Sequence, residues 1–203
     1  NEDGSKKQEN LFKMKEEPAF AKASARSASF ESLIKTFEKN WIGEWYESKK
    51  QQEEYYKLGK KIIKDFYDEF SKNPPKILKI NNELALEMPF NLKINGSTLR
   101  GGIDRIDEID GGVAIIDYKT GNAKEKLETD EKDQLLIYQI ATKEVFQIKP
   151  KELIYHYLNN NHKISFLGAE KEIAKMKEKI IKEIEEIKTS DFKATPGWQC
   201  SFC

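Results

Sequence analysis

Between Gly111 and Gly121 the chain reads GGVAIIDYKTG. Val113 to Ile116 have the look of a buried strand, and Asp117 follows at once, with Lys119 two residues on. Residues i and i+2 of a strand share a face. An acid and a base therefore project together from the end of a core strand. A carboxylate in that place can hold a hard divalent cation through oxygen. An ammonium beside it can neutralise developing charge or orient an attacking water. The plainer alternative is a surface ion pair that contributes little.

Neighbouring turns extend the argument to two more acids. Asn95-Gly96 and Asp110-Gly111 are strong hairpin signals. If both are two-residue turns, counting back from Asp110-Gly111 sets Asp104 opposite Asp117 and Gly102 opposite Lys119. Counting back from Asn95-Gly96 sets Glu87 opposite Asp104. Three acids then line up across three strands on one face. Like charges directly opposite one another are destabilising, and Mg²⁺ or Mn²⁺ would remove the conflict. Gly101-Gly102 leaves open space beside the row. Acids on a half-exposed sheet can also simply face water, and a one-residue slip in either loop would move an acid to the other face.

The elements that must position these groups can be read from periodicity. Residues 1–29 are polar and then Ala/Ser-rich, and are expected to be a flexible tail or linker. Phe30, Leu33, Ile34, Phe37 and Trp41 fit one helix. Tyr55, Leu58, Ile62, Ile63, Phe66 and Phe70 fit a second, stopped at Asn73-Pro74-Pro75. Strands are expected over 84–94, 97–109 and 112–120. A helix then carries Leu135, Leu136, Tyr138, Ile140, Ala141, Val145 and Phe146 and ends before Pro150. Strands over 152–158 and 163–167 follow, and a helix over about 170–188 has Ile173, Met176, Ile180, Ile184 and Ile187 on one stripe. The expected fold is α+β: a central mixed sheet with an antiparallel meander, flanked by helices.

Composition narrows the function. The 203 residues carry 35 Lys+Arg and 35 Asp+Glu, and the neutral total argues against a bulk electrostatic binder of nucleic acid but leaves room for a local basic groove. No 18-residue apolar run offers a membrane span. No apolar leader opens the chain, which points to a cytoplasmic protein. No GxxxxGK motif offers a P-loop. The two cysteines, Cys200 and Cys203, form a terminal CxxC and cannot staple the fold.

GGIDRIDEIDGGVAIIDYKTG followed by DQLLIY resembles the RecB-type branch of the PD-(D/E)XK nuclease superfamily. The likeness is to AddAB-type exonucleases and to the C-terminal nuclease domain of UvrD-like helicases, over roughly Phe30 to Cys203. It implies the restriction-endonuclease-like fold and one nuclease-like domain over 30–203, incomplete at both ends relative to the family. By position, it makes Asp104 and Asp117 metal-binding acids, with the Tyr118 backbone carbonyl as a further ligand. Lys119 becomes the catalytic lysine, and Gln134 and Tyr138 brace the site or touch the nucleic-acid backbone, being i and i+4 on one helix face. Glu87 matches the acid on the preceding strand and is a further candidate ligand.

The sequence departs from that pattern in three places. Family members often carry a metal-binding His on an N-terminal helix, yet the histidines here are His156 and His162, which read as ordinary strand and turn residues. The usual S-x-[SQ]-x-x-x-[FY] … C-P opening is absent. Cys200 and Cys203 correspond to two of the four ligands of a [4Fe–4S] cluster in cluster-bearing members. Two thiols alone close neither a cluster nor a zinc site, so a cluster is expected only in a fuller parent. The resemblance implies a Mg²⁺- or Mn²⁺-dependent deoxyribonuclease, an exonuclease domain acting on single-stranded DNA ends beside a helicase in DNA repair or recombination. The alternative is a catalytically impaired nuclease-fold module for DNA binding or complex assembly.

Overall fold

The computed structural model describes residues 29–123, 127 and 129–202. The expected tail lies outside them, Ser29 excepted. Contacts divide the chain into two units, 1–74 and 75–203, which are taken in turn.

The described part of the first unit, residues 29–74, is a pair of helices. Ser29 begins α1 (Phe30–Asn40), its hydroxyl accepting from the Ser32 N–H at 3.2 Å. Ser48 caps α2 (Lys49–Lys72) the same way through the Gln51 N–H. Such caps satisfy amide groups that the first helical turn leaves over. The predicted stop at Asn73-Pro74 is where α2 ends. Phe37 lies so close to Gly59 that a Cβ there would meet its ring at 2.7 Å. Phe37, Trp41 and Tyr56 join in tilted and edge-on ring contacts, and Lys60 pairs with Glu38 at 2.6 Å.

The second unit is α+β. A short ribbon of β1 (Lys79–Ile80) and β2 (Glu83–Leu84) precedes a five-stranded mixed sheet. Its strands are β3 (Leu86–Ile94), β4 (Ser97–Ile109), β5 (Gly112–Lys119), β6 (Pro150–Tyr157) and β7 (His162–Phe166), adjacent in that order. All neighbours are antiparallel except β5 and β6. The parallel pair is joined by a crossover carrying α3 (Thr129–Glu144), as such a pair requires. After β7, α4 (Glu170–Thr189) lies on α3, buries Met176 and Ile180, and joins it through Lys179–Asp133 at 2.5 Å. A 3₁₀ turn, Trp198–Phe202, follows. No described helix is long and apolar enough to cross a membrane.

The turn-based register is the observed one. Arg105 pairs with Ile116 and Ile109 with Gly112; Met88 pairs with Ile103 and Ile94 with Ser97. The turns close with Asn95 at φ 45°, Gly96 at 74° and Gly111 at 72°. Three extrapolations from that register are corrected. The β4–β5 ladder ends at Arg105–Ile116, so neither Asp104 with Asp117 nor Gly102 with Lys119 forms a facing rung. The β3–β4 ladder omits the Glu87–Asp104 rung, because Glu87 sits at φ 48°. Counting residues across a turn assumes an unbroken pleat, and here the pleat breaks. Ile103 and Ile106 are both fully buried in the same core although three apart, where a continuous strand would put them on opposite faces. The break lies at Asp104-Arg105. Beyond it β4 runs with the 76–85 segment, through Leu78 N–H to Ile106 O and Ile106 N–H to Ala85 O.

Candidate active site

The site grows out of this break. Along β5, odd-numbered residues turn their main-chain groups toward β6: the Val113 N–H donates to Lys149 O, and Lys119 O accepts from the Leu158 N–H. Even-numbered residues turn theirs toward β4. Past the last rung, the Tyr118 N–H therefore meets no β4 main chain and donates instead to the Asp104 carboxylate at 2.8 Å. A side chain replaces the rung, and the two strands part around it. The carbonyl of a strand residue leaves on the same edge as its N–H, so the Tyr118 carbonyl also points into the gap beside Asp104.

Asp117 lies on the α3 side and is 2% exposed. Its carboxyl is held above the usual carboxylate range, first by burial; Lys119 opposes that shift and the nearby Asp104 adds to it. Lys119 Nζ stands 2.7 Å from Asp117 Oδ2. Among the described residues that oxygen has no partner besides this ion pair. Lys119 donates to Gln134 Oε1 at 2.7 Å, and Gln134 Nε2 donates to the Tyr138 hydroxyl at 2.8 Å. The i, i+4 spacing on α3 thus forms a chain ending on the lysine. Tyr138 also packs edge-on against Phe90 of β3. Its phenol is raised mainly by burial, and Asp117, Asp104 and Glu87 each push it further.

The structure thus brings Asp104, Asp117, Tyr118, Lys119, Gln134 and Tyr138 together. Glu87 is exposed on β3, its charge felt at Tyr138. Among the described residues, no three His, Cys, Asp or Glu side chains gather as a metal-ligand set. The remaining donors suit a small hard cation: two carboxylates, one with an oxygen whose described partner is the Lys119 ion pair alone, and a main-chain carbonyl. Cys200 is exposed on the terminal 3₁₀ turn, and Cys203 lies outside the described residues.

Sequence reasoning missed two neighbourhoods. Tyr155, the β6 partner of Asp117, lies under Lys119 with Nζ 4.9 Å from its ring centre, and donates to Glu131 O at 2.6 Å. A parallel crossover must bring β6 beside β5, and that was the available signal. On the other face, Arg105, Asp107 and His156 are buried, whereas His162 is exposed. Charged residues amid the apolar positions of a central strand were the sign there.

The sequence pattern of the PD-(D/E)XK nuclease superfamily matches residues 10–203. The gene 69 protein of Mycobacterium phage L5 is 32% identical over 65 residues, 32% of this chain and 21% of that protein. The matched stretch thus spans about a fifth of that relative's length. The crystal structure of SSO0001 aligns with a TM-score of 0.40 at 18% identity, over 75% of this chain and 74% of that one.

Proposed function

We propose a divalent-metal-dependent deoxyribonuclease, from the premise that the chain belongs to the PD-(D/E)XK nuclease superfamily. One observation carries the reading: Lys119 is held at 2.7 Å from both Asp117 and Gln134, beside Asp104 and the gap at the end of β5. Asp104, Asp117 and the Tyr118 carbonyl would hold Mg²⁺ or Mn²⁺. Such an ion supplies Lewis-acid polarisation of the phosphodiester and a more acidic water.

The chain's own groups do the rest. Asp117 and Gln134 fix the Lys119 ammonium, so it can meet charge developing on the phosphoryl oxygens without reorganising. It can also orient the attacking water for in-line displacement. Tyr138 holds the Gln134 amide so that its oxygen, not its nitrogen, faces the lysine. Burial of Asp117 keeps bulk water from weakening these charges.

Single-stranded DNA ends are the proposed substrate, processed as an exonuclease beside a helicase in repair or recombination. The support for this finer reading is the resemblance to helicase-linked nucleases. A second reading, a nuclease-fold module that binds without cutting, draws on the small ligand set of two acidic side chains. Labelled single- and double-stranded DNA, with RNA alongside, incubated with Mg²⁺ or Mn²⁺, decides between them. Metal-dependent cleavage of DNA, lost in Lys119→Ala and Asp117→Ala, is expected. Binding without cleavage in either metal establishes the module instead.

A further inference from the structure

The groups that the proposed chemistry leaves unused lie directly behind it. On the sheet face away from Lys119, Arg105 Nη1 donates to the Tyr118 hydroxyl at 2.5 Å, and Nη2 reaches Asp107 Oδ2 at 3.0 Å. The guanidinium carbon is 5.5 Å from the centre of the Tyr118 ring. The same ring meets that of His156 at 5.5 Å, and His156 Nε2 pairs with Asn161 Oδ1 at 2.6 Å. Arg105, Asp107 and His156 are each 9% exposed or less.

Stability alone is a poor reason for such a cluster. A buried ion pair is often no more stabilising than apolar residues of the same volume. Among the described residues, Arg105 Nε and Asp107 Oδ1 moreover have no hydrogen-bond partner, which adds desolvation cost. The placement is specific, however. Arg105 forms the last β4–β5 rung and follows Asp104; Tyr118 is the first β5 residue past that rung facing β4. The two strands are therefore tied twice where they part. Asp104 holds the Tyr118 main chain at the gap, and Arg105 holds the Tyr118 side chain behind it. A guanidinium fork fixes direction as well as distance.

We propose that Arg105 is a positioning residue, which through the Tyr118 side chain sets the gap between β4 and β5 so that the Asp104 carboxylate and the Tyr118 carbonyl converge on one cation. This rests on the metal-site reading above and adds a residue that touches neither cation nor substrate. The arrangement matches the general behaviour of metal sites, where groups behind the ligands tune affinity through orientation.

Tyr118→Phe removes the hydroxyl and leaves the ring, the main chain and every proposed ligand in place. Mn²⁺ affinity, measured by calorimetry on the substrate-free chain, is expected to fall about tenfold. Exchange of the residue-118 amide is expected to quicken, and the Mn²⁺ concentration for half-maximal cleavage to rise by a similar factor. Arg105→Lys, which keeps the charge but not the fork, is expected to resemble Tyr118→Phe. Unchanged Mn²⁺ affinity and amide exchange in Tyr118→Phe, with the parent cutting normally, overturn the positioning role alone. A parent chain that neither binds Mn²⁺ nor cuts DNA overturns both readings.

Discussion

At the scale of single residues, Asp117 and Lys119 are unequal partners. Asp117 is 2% exposed, while the Lys119 side chain is about one-third exposed at 36%. Burial raises the Asp117 pKa despite the lysine, so ionised Asp117 opposes folding. The sign follows from linkage. Between the ordinary value of 3.8 and the raised native one, the native state binds more protons than the unfolded chain, so stability falls as pH rises. Asp117→Asn should therefore stabilise the fold by about 1 kcal/mol at neutral pH, a typical gain where a strained functional group is removed. The advantage should shrink as pH falls toward 3.8. Urea unfolding at two pH values measures it, and loss of cleavage accompanies it. Mn²⁺ affinity of the chain should weaken as pH falls into the acid range, since Asp117 must lose its proton to act as a ligand. Lys119→Met should instead lower kcat by about 10³-fold, the scale of losing one pre-placed charge-stabilising group. Mn²⁺ titration of that variant should still show binding.

At the scale of elements, the lesson is where local rules stop. The turns at Asn95-Gly96 and Asp110-Gly111 fixed the register of three strands, because positive φ at such positions leaves few ways to close a hairpin. Gln134 and Tyr138 were legible for a similar reason, since i and i+4 meet on any helix. The break at Asp104-Arg105 was not legible, because it depends on the 76–85 segment taking over as the β4 partner. The row of three facing acids therefore became something different: one carboxylate bonding to a neighbouring main chain, one buried beside a lysine, and one exposed. The Arg105–Tyr118 tie follows from the same break. The parallel β5–β6 pairing can be probed directly. A Cβ on Gly112 would stand 2.5 Å from Lys149 O, where the Val113 N–H donates at 3.1 Å. Gly112→Ala should destabilise by about 1–3 kcal/mol, the usual range for overpacking. A lower urea midpoint at an unchanged slope is the expected result.

At the scale of the whole molecule, every proposed catalytic group lies within residues 75–203. A cation held there would bind only where β4 and β5 are in place, because its donors come from both strands and from the main chain at their parting. Unfolding scatters Asp104, Asp117 and the Tyr118 carbonyl, and leaves no such site. Metal binding is then linked to folding. At a free concentration one hundred times Kd, Mn²⁺ should add about 2.7 kcal/mol to the unfolding free energy. For a fold of this size that raises Tm by roughly 5–10 °C. The increment should grow with the logarithm of metal concentration and vanish on chelation. It should be absent in Asp117→Asn, although that variant starts from the higher metal-free Tm. The two curves should therefore approach or cross as Mn²⁺ is added. Calorimetric scans over a Mn²⁺ series measure this without substrate, so the cation site is tested apart from the cleavage it would serve. Parallel curves would mean that Asp117 contributes nothing to holding the ion.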